Sequence, residues 1–153
     1  MTADPAERLR LACLAAIERC EAKEREGVDP DTFAELGESL FWLVALAEAN
    51  RKRRDPGLIL GLTWARNRIA HGALLTAPVM WRYGSELGKL VLGRSALGVR
   101  SAHLWLPRTA IIVTLEEQWS DRKGEAAYDE HLAGREVLAT LRSGLAEVTR
   151  ERR

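Results

Sequence analysis

Residues 62–75 read LTWARNRIAHGALL. Leu62, Ala65, Ile69 and Ala73 recur at helical spacing, and Leu58 extends the stripe one turn back. The spacing predicts a helix over Leu58–Leu75, stopped by Pro78, with this stripe facing a core. Yet Arg66, Asn67, Arg68 and His71 crowd into six positions of it. At about 100° per residue, His71 falls almost opposite the stripe, and Leu60, Trp64, Asn67 and Leu75 lie broadly with it. The helix thus has one purely apolar face and one mixed face, and the mixed face is what a site or a partner surface requires. Arg66 stands about 140° from His71, so an ideal helix keeps the two apart.

The flanking sequence builds a helical bundle around this segment. Asp4 and Pro5 supply a cap and a first helical residue for a helix over Pro5–Glu26, with Leu9, Ala12, Cys13, Ala16, Ile17 and Cys20 as its apolar stripe. A second helix over Asp31–Arg53 carries Phe33, Leu36, Leu40, Phe41, Leu43, Val44 and Ala47; it is apolar around most of its circumference and therefore central. A last helix over Arg122–Arg150 places Tyr128, Leu132, Leu138, Leu141, Leu145 and Val148 on one face. Residues 79–120, punctuated by Gly84, Gly88, Gly93 and Gly98, form an insertion of irregular loops or a small hairpin, with KLVL and AIIVTL as its candidate strands. Long helices joined by short connections predict a mainly α fold, a bundle of four to five helices in one domain spanning residues 1–153.

Composition narrows the function classes. A chain of 153 residues buries about two-thirds of its extended surface on folding. Its 23 basic and 22 acidic side chains leave a net charge of +1, so no global field selects nucleic acid or membrane, and any such contact must be a local patch. No stretch reaches the ~20 apolar residues of a membrane span, and MTADPAERLR has no apolar signal core, which predicts a cytoplasmic protein without a membrane partner. Cys13 and Cys20 lie seven apart on one helix, about 10 Å along its axis, too far for a disulfide, and read as buried thiols. Two cysteines and three scattered histidines offer no metal-ligand spacing.

The polar residues of the third helix bear a resemblance. RNRIAHG is similar to the signature of HEPN domains, an arginine usually followed by a polar residue, with a histidine four to six residues further on. The resemblance implies an all-helical bundle that commonly dimerises, and a metal-independent ribonuclease of the kind found in toxins and phage defence. Arg66 matches the family arginine, Asn67 its polar neighbour and His71 the histidine. Ala73 occupies the position where some members carry a tyrosine modified by a partner nucleotidyltransferase, which argues against that form of regulation. Nothing in the family pattern accounts for residues 79–120.

The chemistry stands beside the resemblance. Cleaving RNA without a metal means removing a proton from a ribose 2′-hydroxyl so that its oxygen attacks the adjacent phosphorus. Imidazole, with an ordinary pKa of ~6.5, suits that transfer at neutral pH. A guanidinium fork suits the phosphate and its developing charge. The leaving 5′-oxygen also needs a proton, and a two-fold dimer bringing both copies of Arg66 and His71 into one cleft would supply it and close the 140° gap. The sequence therefore predicts a homodimeric endoribonuclease that requires no cofactor. His71 would be its acid or base, Arg66 its phosphate clamp and Asn67 a positioning residue. A toxin or defence effector of this kind would be held in check by a partner such as an antitoxin.

The other polar and aromatic residues read more plainly. Arg51, Lys52, Arg53 and Arg54 (RKRR) end the second helix, where cations meet the negative end of its dipole; Arg51, Lys52 and Arg53 are also candidate RNA-phosphate contacts. Arg68 reads as an exposed arginine that could join them on His71's side. His103 and His131 read as surface or loop residues, and Trp42, Trp81, Trp105 and Trp119 as core or interface anchors. Glu38 and Glu48 could orient the His71 ring, though solvated carboxylates are commoner. The rival reading is a non-catalytic HEPN-like module that binds a nucleotide, RNA or a protein through the same cleft. A purely structural subunit would instead leave Arg66 and His71 facing bulk solvent in the assembled protein.

Overall fold

The computed structural model describes residues 4–26, 32–50, 56–82, 99–111 and 121–150. It is mainly helical with a small two-stranded sheet: α1 Pro5–Arg25, a π-helical turn Thr32–Leu36, α2 Gly37–Ala49, α3 Pro56–Ala70, β1 Thr76–Arg82, β2 Val99–Trp105, a 3-10 turn Arg108–Ala110, α4 Arg122–His131 and α5 Val137–Thr149. The sequence predicts α1 almost residue for residue. Asp4 accepts from the Ala6 amide at 3.3 Å, and Cys13, Ala16, Ile17 and Cys20 are its buried stripe.

Central α2 packs against α1, α3 and α5. Leu40, Leu43, Val44, Leu46 and Ala47 are buried there, but Phe41 is 51% exposed, so the helix has a solvent side after all. Its regular turns stop at Ala49, and Arg51, Lys52, Arg53 and Arg54 lie outside the described residues. Arg19–Glu38 and Lys23–Glu35, both 2.6 Å, tie α1 to α2 and the turn before it, and Glu21 pairs with Arg142 to tie α1 to α5. Pairs open to solvent on at least one side, as these are, contribute little each; the apolar core carries the association.

Two breaks depart from the expected helices, and each centres on a glycine at positive φ. Gly72 has φ 86. The Ala73 amide donates to the Arg68 carbonyl at 3.0 Å and the Gly72 amide to that of Ile69 at 2.9 Å, a Schellman closure that ends α3 at Ala70. The helix therefore stops short of the predicted Leu75, and Pro78 does not stop it: Pro78 pairs with His103 inside the sheet. Leu75 is fully buried, but as a residue of the segment leading into β1. Gly134, with φ 74, divides the expected last helix into α4 and α5. Its amide donates to the Trp105 carbonyl at 2.8 Å while the Trp105 amide donates to the Arg135 carbonyl at 3.0 Å, so the break docks on the end of β2.

Among the described residues the sheet begins at Thr76, three residues before the insertion, and uses neither predicted strand. Antiparallel pairing runs from Thr76 opposite Trp105 to Arg82 opposite Val99. KLVL, and AIIVTL beyond Ile111, lie outside the described residues, while Ala110 belongs to the 3-10 turn.

Trp105 anchors this insertion into the bundle. It is fully buried and donates through Nε1 to the Thr140 hydroxyl at 2.6 Å. Its ring meets Tyr128 edge-on at 6.3 Å, and Tyr128 donates to the Leu106 carbonyl at 2.7 Å. His103 corrects its surface reading. It is buried on β2, where Glu24 of α1 accepts from its backbone amide at 3.1 Å and lies 3.1 Å from its Nδ1. A backbone amide and a ring nitrogen meeting one carboxylate oxygen fasten the sheet to α1. His131 is half-buried at the end of α4, its ring against Gly57.

Candidate functional site

The four polar residues of the opening segment divide into two groups. Arg68 belongs to the interior: it is 8% exposed, with its guanidinium carbon 4.8 Å from the centre of the Trp64 ring. That corrects its reading as an exposed arginine. Trp64 lies on Tyr128 at 4.7 Å between ring centres, and Gly124 admits it because any Cβ there would collide with its Cδ1. Trp64, expected on the mixed face with the motif, is therefore core at 6% exposure. A helix neighbour within the same chain covers it.

Arg66, Asn67 and His71 stay out of that stack. Asn67 and His71 are exposed and Arg66 half-buried. Nε and Nη2 of Arg66 donate to the Asn67 Oδ1 at 3.2 and 3.1 Å. The His71 amide donates to the Asn67 carbonyl at 3.2 Å, which places the histidine one turn beyond Asn67, on the C-cap just before Gly72. Asn67 sits about 40° from His71 around the helix, against about 140° for Arg66. The Arg66 guanidinium is thus held to Asn67, the residue of the pair that lies nearer His71 around the helix. Among the described residues the His71 ring has no hydrogen-bond or ion-pair partner. Glu38 is engaged by Arg19 at 2.6 Å and Trp42 at 3.2 Å, and Glu48 is exposed on α2; neither bonds to His71.

This arrangement offers a guanidinium fork, an amide that aligns it and an open imidazole one turn away. It can take an anion and move a proton beside it. Other chemistries find less. Among the described residues, no group of three His, Cys, Asp or Glu could hold a metal ion. Burial pushes the Cys13 thiol up to about 11 and raises that of Cys20, so both are protonated at neutral pH and are poor nucleophiles. The cleft lined by Cys20, Glu24, Thr76 and His103 has a cavity volume of ≈ 10 Å³, about what a single water needs.

No family model, curated protein or solved structure matches this chain.

The structure adds residues that the sequence pattern does not single out. Arg122 and Lys123 occupy the first turn of α4, both exposed, close to the end of α3 that carries the motif. A signal exists in DRKGEAAYDEH: two cations directly after a cap aspartate stand at the positive end of a helix dipole, where acidic residues are favoured. The proximity of that turn to α3 is not legible, because residues 71–120 lie between the two in the chain.

Proposed function

We propose that this protein is a metal-independent endoribonuclease of the HEPN type. One observation carries the reading. Towards the open end of α3 the Arg66 cation is held by Asn67 and His71 lies exposed one turn beyond Asn67, while the neighbouring Arg68 is given over to packing. Polar side chains grouped so, with no bond that holds the fold, are available to a substrate.

The chemistry follows from the groups present. The His71 ring takes the proton of a 2′-hydroxyl, and that oxygen bonds to the adjacent phosphorus as the bond to the 5′-oxygen breaks. Arg66 donates in fork geometry to the phosphate oxygens as charge collects on them, and Asn67 keeps the fork aligned. The 5′-oxygen leaves with a proton from a second acid, which we assign to His71 of a second copy across a two-fold axis. The products carry 2′,3′-cyclic phosphate and 5′-hydroxyl ends. A toxin or defence effector restrained by a partner protein in the cytoplasm is the setting this activity fits.

Incubation of the purified protein with total RNA in EDTA, followed by analysis of the ends, tests the reaction. Cleavage with cyclic phosphate and 5′-hydroxyl ends is expected. Cleavage that requires magnesium or leaves 5′-phosphates would overturn it, and RNA bound but uncut would leave the non-catalytic module. His71 is exposed in the single chain, as an idle residue would also be; activity separates those two readings.

The dimer has its own check. Because Trp64 is buried within one chain, Leu60 and the 44%-exposed Leu74 are the apolar residues left beside the motif for a partner copy. Light scattering at micromolar concentration should report twice the monomer mass, and a monomer that still cleaves RNA would remove the second His71 from the mechanism.

A further inference from the structure

α3 and α4 run antiparallel with a defined register. Gly57 meets His131, Gly61 meets Ala127 and Leu132, and Trp64 meets Gly124. The end of α3 that carries the motif therefore lies beside the beginning of α4. The α4-facing stripe of α3 is Gly57, Gly61, Trp64 and Arg68, and at about 100° per residue Asn67 lies about 100° to one side of Arg68, with His71 leaving from the same side. The other side of that stripe carries Ala65 and Ile69, which are buried. On α4, Lys123 lies about 100° to one side of Gly124. The other side carries fully buried Tyr128 and the Glu125 and Asp129 carboxylates that pair with Arg108. Lys123, Asn67 and His71 thus share the solvent side of one seam, and all three are exposed. From the Trp64–Gly124 contact, Asn67 is three residues along and Lys123 one in the same direction, an axial offset of about 3 Å.

The start of α4 adds to this placement. Asp121 accepts from the Gly124 amide at 3.0 Å, but the amides of Arg122 and Lys123 have no partner among the described residues, and both side chains add positive charge to the same dipole end. Asp121 and Glu125 balance Arg122 and Lys123 in number, but Glu125 is engaged by Arg108 and Asp121 by the Gly124 amide, which leaves the Lys123 ammonium open to an anion.

We propose that Lys123 binds a backbone phosphate of single-stranded RNA next to the one held by Arg66, so that the strand crosses the α3–α4 seam past His71. This inference rests on the ribonuclease reading and names the rest of its substrate contact. Lys123 acts here as a binding residue, through charge and not through proton transfer.

Its test uses His71→Ala protein in EDTA, so that RNA stays intact, and a short fluorescein-labelled oligouridylate titrated over a range of salt. Adding Lys123→Ala should weaken binding and reduce the slope of log affinity against log salt by about 0.7, the share of one phosphate on a single strand. Lys123→Arg should restore the slope. If the parent binds RNA and Lys123→Ala changes neither affinity nor slope, the proposal is overturned while the ribonuclease reading stands. If the parent binds no RNA at any salt, both fall. Lys123 is exposed, so the thermal melt of Lys123→Ala should match the parent's, and a lowered melting temperature without Lys123→Arg rescue of the slope would also count against the site.

Discussion

His71→Ala is expected to lower RNA cleavage by ~10²–10⁴-fold, the span that general acid–base catalysis contributes, with the thermal melt unchanged. The ring is exposed and makes no bond within the described fold, so its removal takes away proton transfer and nothing structural. Its amide, which closes the end of α3, is retained in alanine. Arg66→Ala should cost a similar order through lost stabilisation of the phosphate charge. Arg66→Lys should restore only part of it, because an ammonium cannot reproduce the planar fork that now reaches Asn67 through two nitrogens. Single-turnover cleavage of a labelled RNA in EDTA reads all three variants. Full activity in His71→Ala would refute the assignment. A His71→Ala protein that fails to fold would show instead that the residue is structural.

Trp105→Ala should be the most damaging substitution in the fold, lowering stability by ~3–5 kcal/mol. For a chain of 153 residues that corresponds to a fall in melting temperature of about 6–20 °C. The ring is fully buried, and its loss would also leave the Thr140 hydroxyl without the indole donor. The damage should reach the motif. Trp105 meets Tyr128 at 6.3 Å, Tyr128 lies on Trp64 at 4.7 Å, and Arg68 sits 4.8 Å above Trp64, so one column of aromatic rings runs from the sheet to the last turn of α3. Trp105→Phe should recover part of the stability by refilling most of the volume without the hydrogen bond. Thermal denaturation followed by circular dichroism measures both variants, and a Trp105→Ala shift under about 2 °C, well below the span expected for a lost core aromatic, would show that the insertion does not anchor the bundle.

How much of this is legible in the sequence differs from element to element. The apolar stripes of α1, α2, α3 and α5 supply much of the buried core, because burial on a helix repeats with the period of the helix. Asp4, Pro5 and the two buried thiols follow from local geometry in the same way. The motif is legible as residue types at a spacing. Its arrangement is not, since a helical wheel continued through His71 ignores the closure at Gly72 and cannot show an arginine side chain bent towards Asn67.

By itself the sequence determined that this chain is mainly helical, which faces of its helices are apolar, and that arginine, asparagine and histidine sit close together in one of them. These are properties of near neighbours, set by spacing and by what each side chain loses or gains on leaving water. Only the tertiary structure decided that Gly72 and Gly134 end helices, although glycine is common elsewhere in the chain. It likewise paired Thr76–Arg82 with Val99–Trp105, sent Arg68 and Trp64 inward, set His103 against Glu24 and brought the start of α4 beside the motif end of α3. Apart from the closure at Gly72, which bonds locally to Arg68 and Ile69, each of those outcomes depends on a partner distant in the chain. A glycine becomes a break when a strand end waits for its amide, and an arginine is buried when a ring lies beneath it.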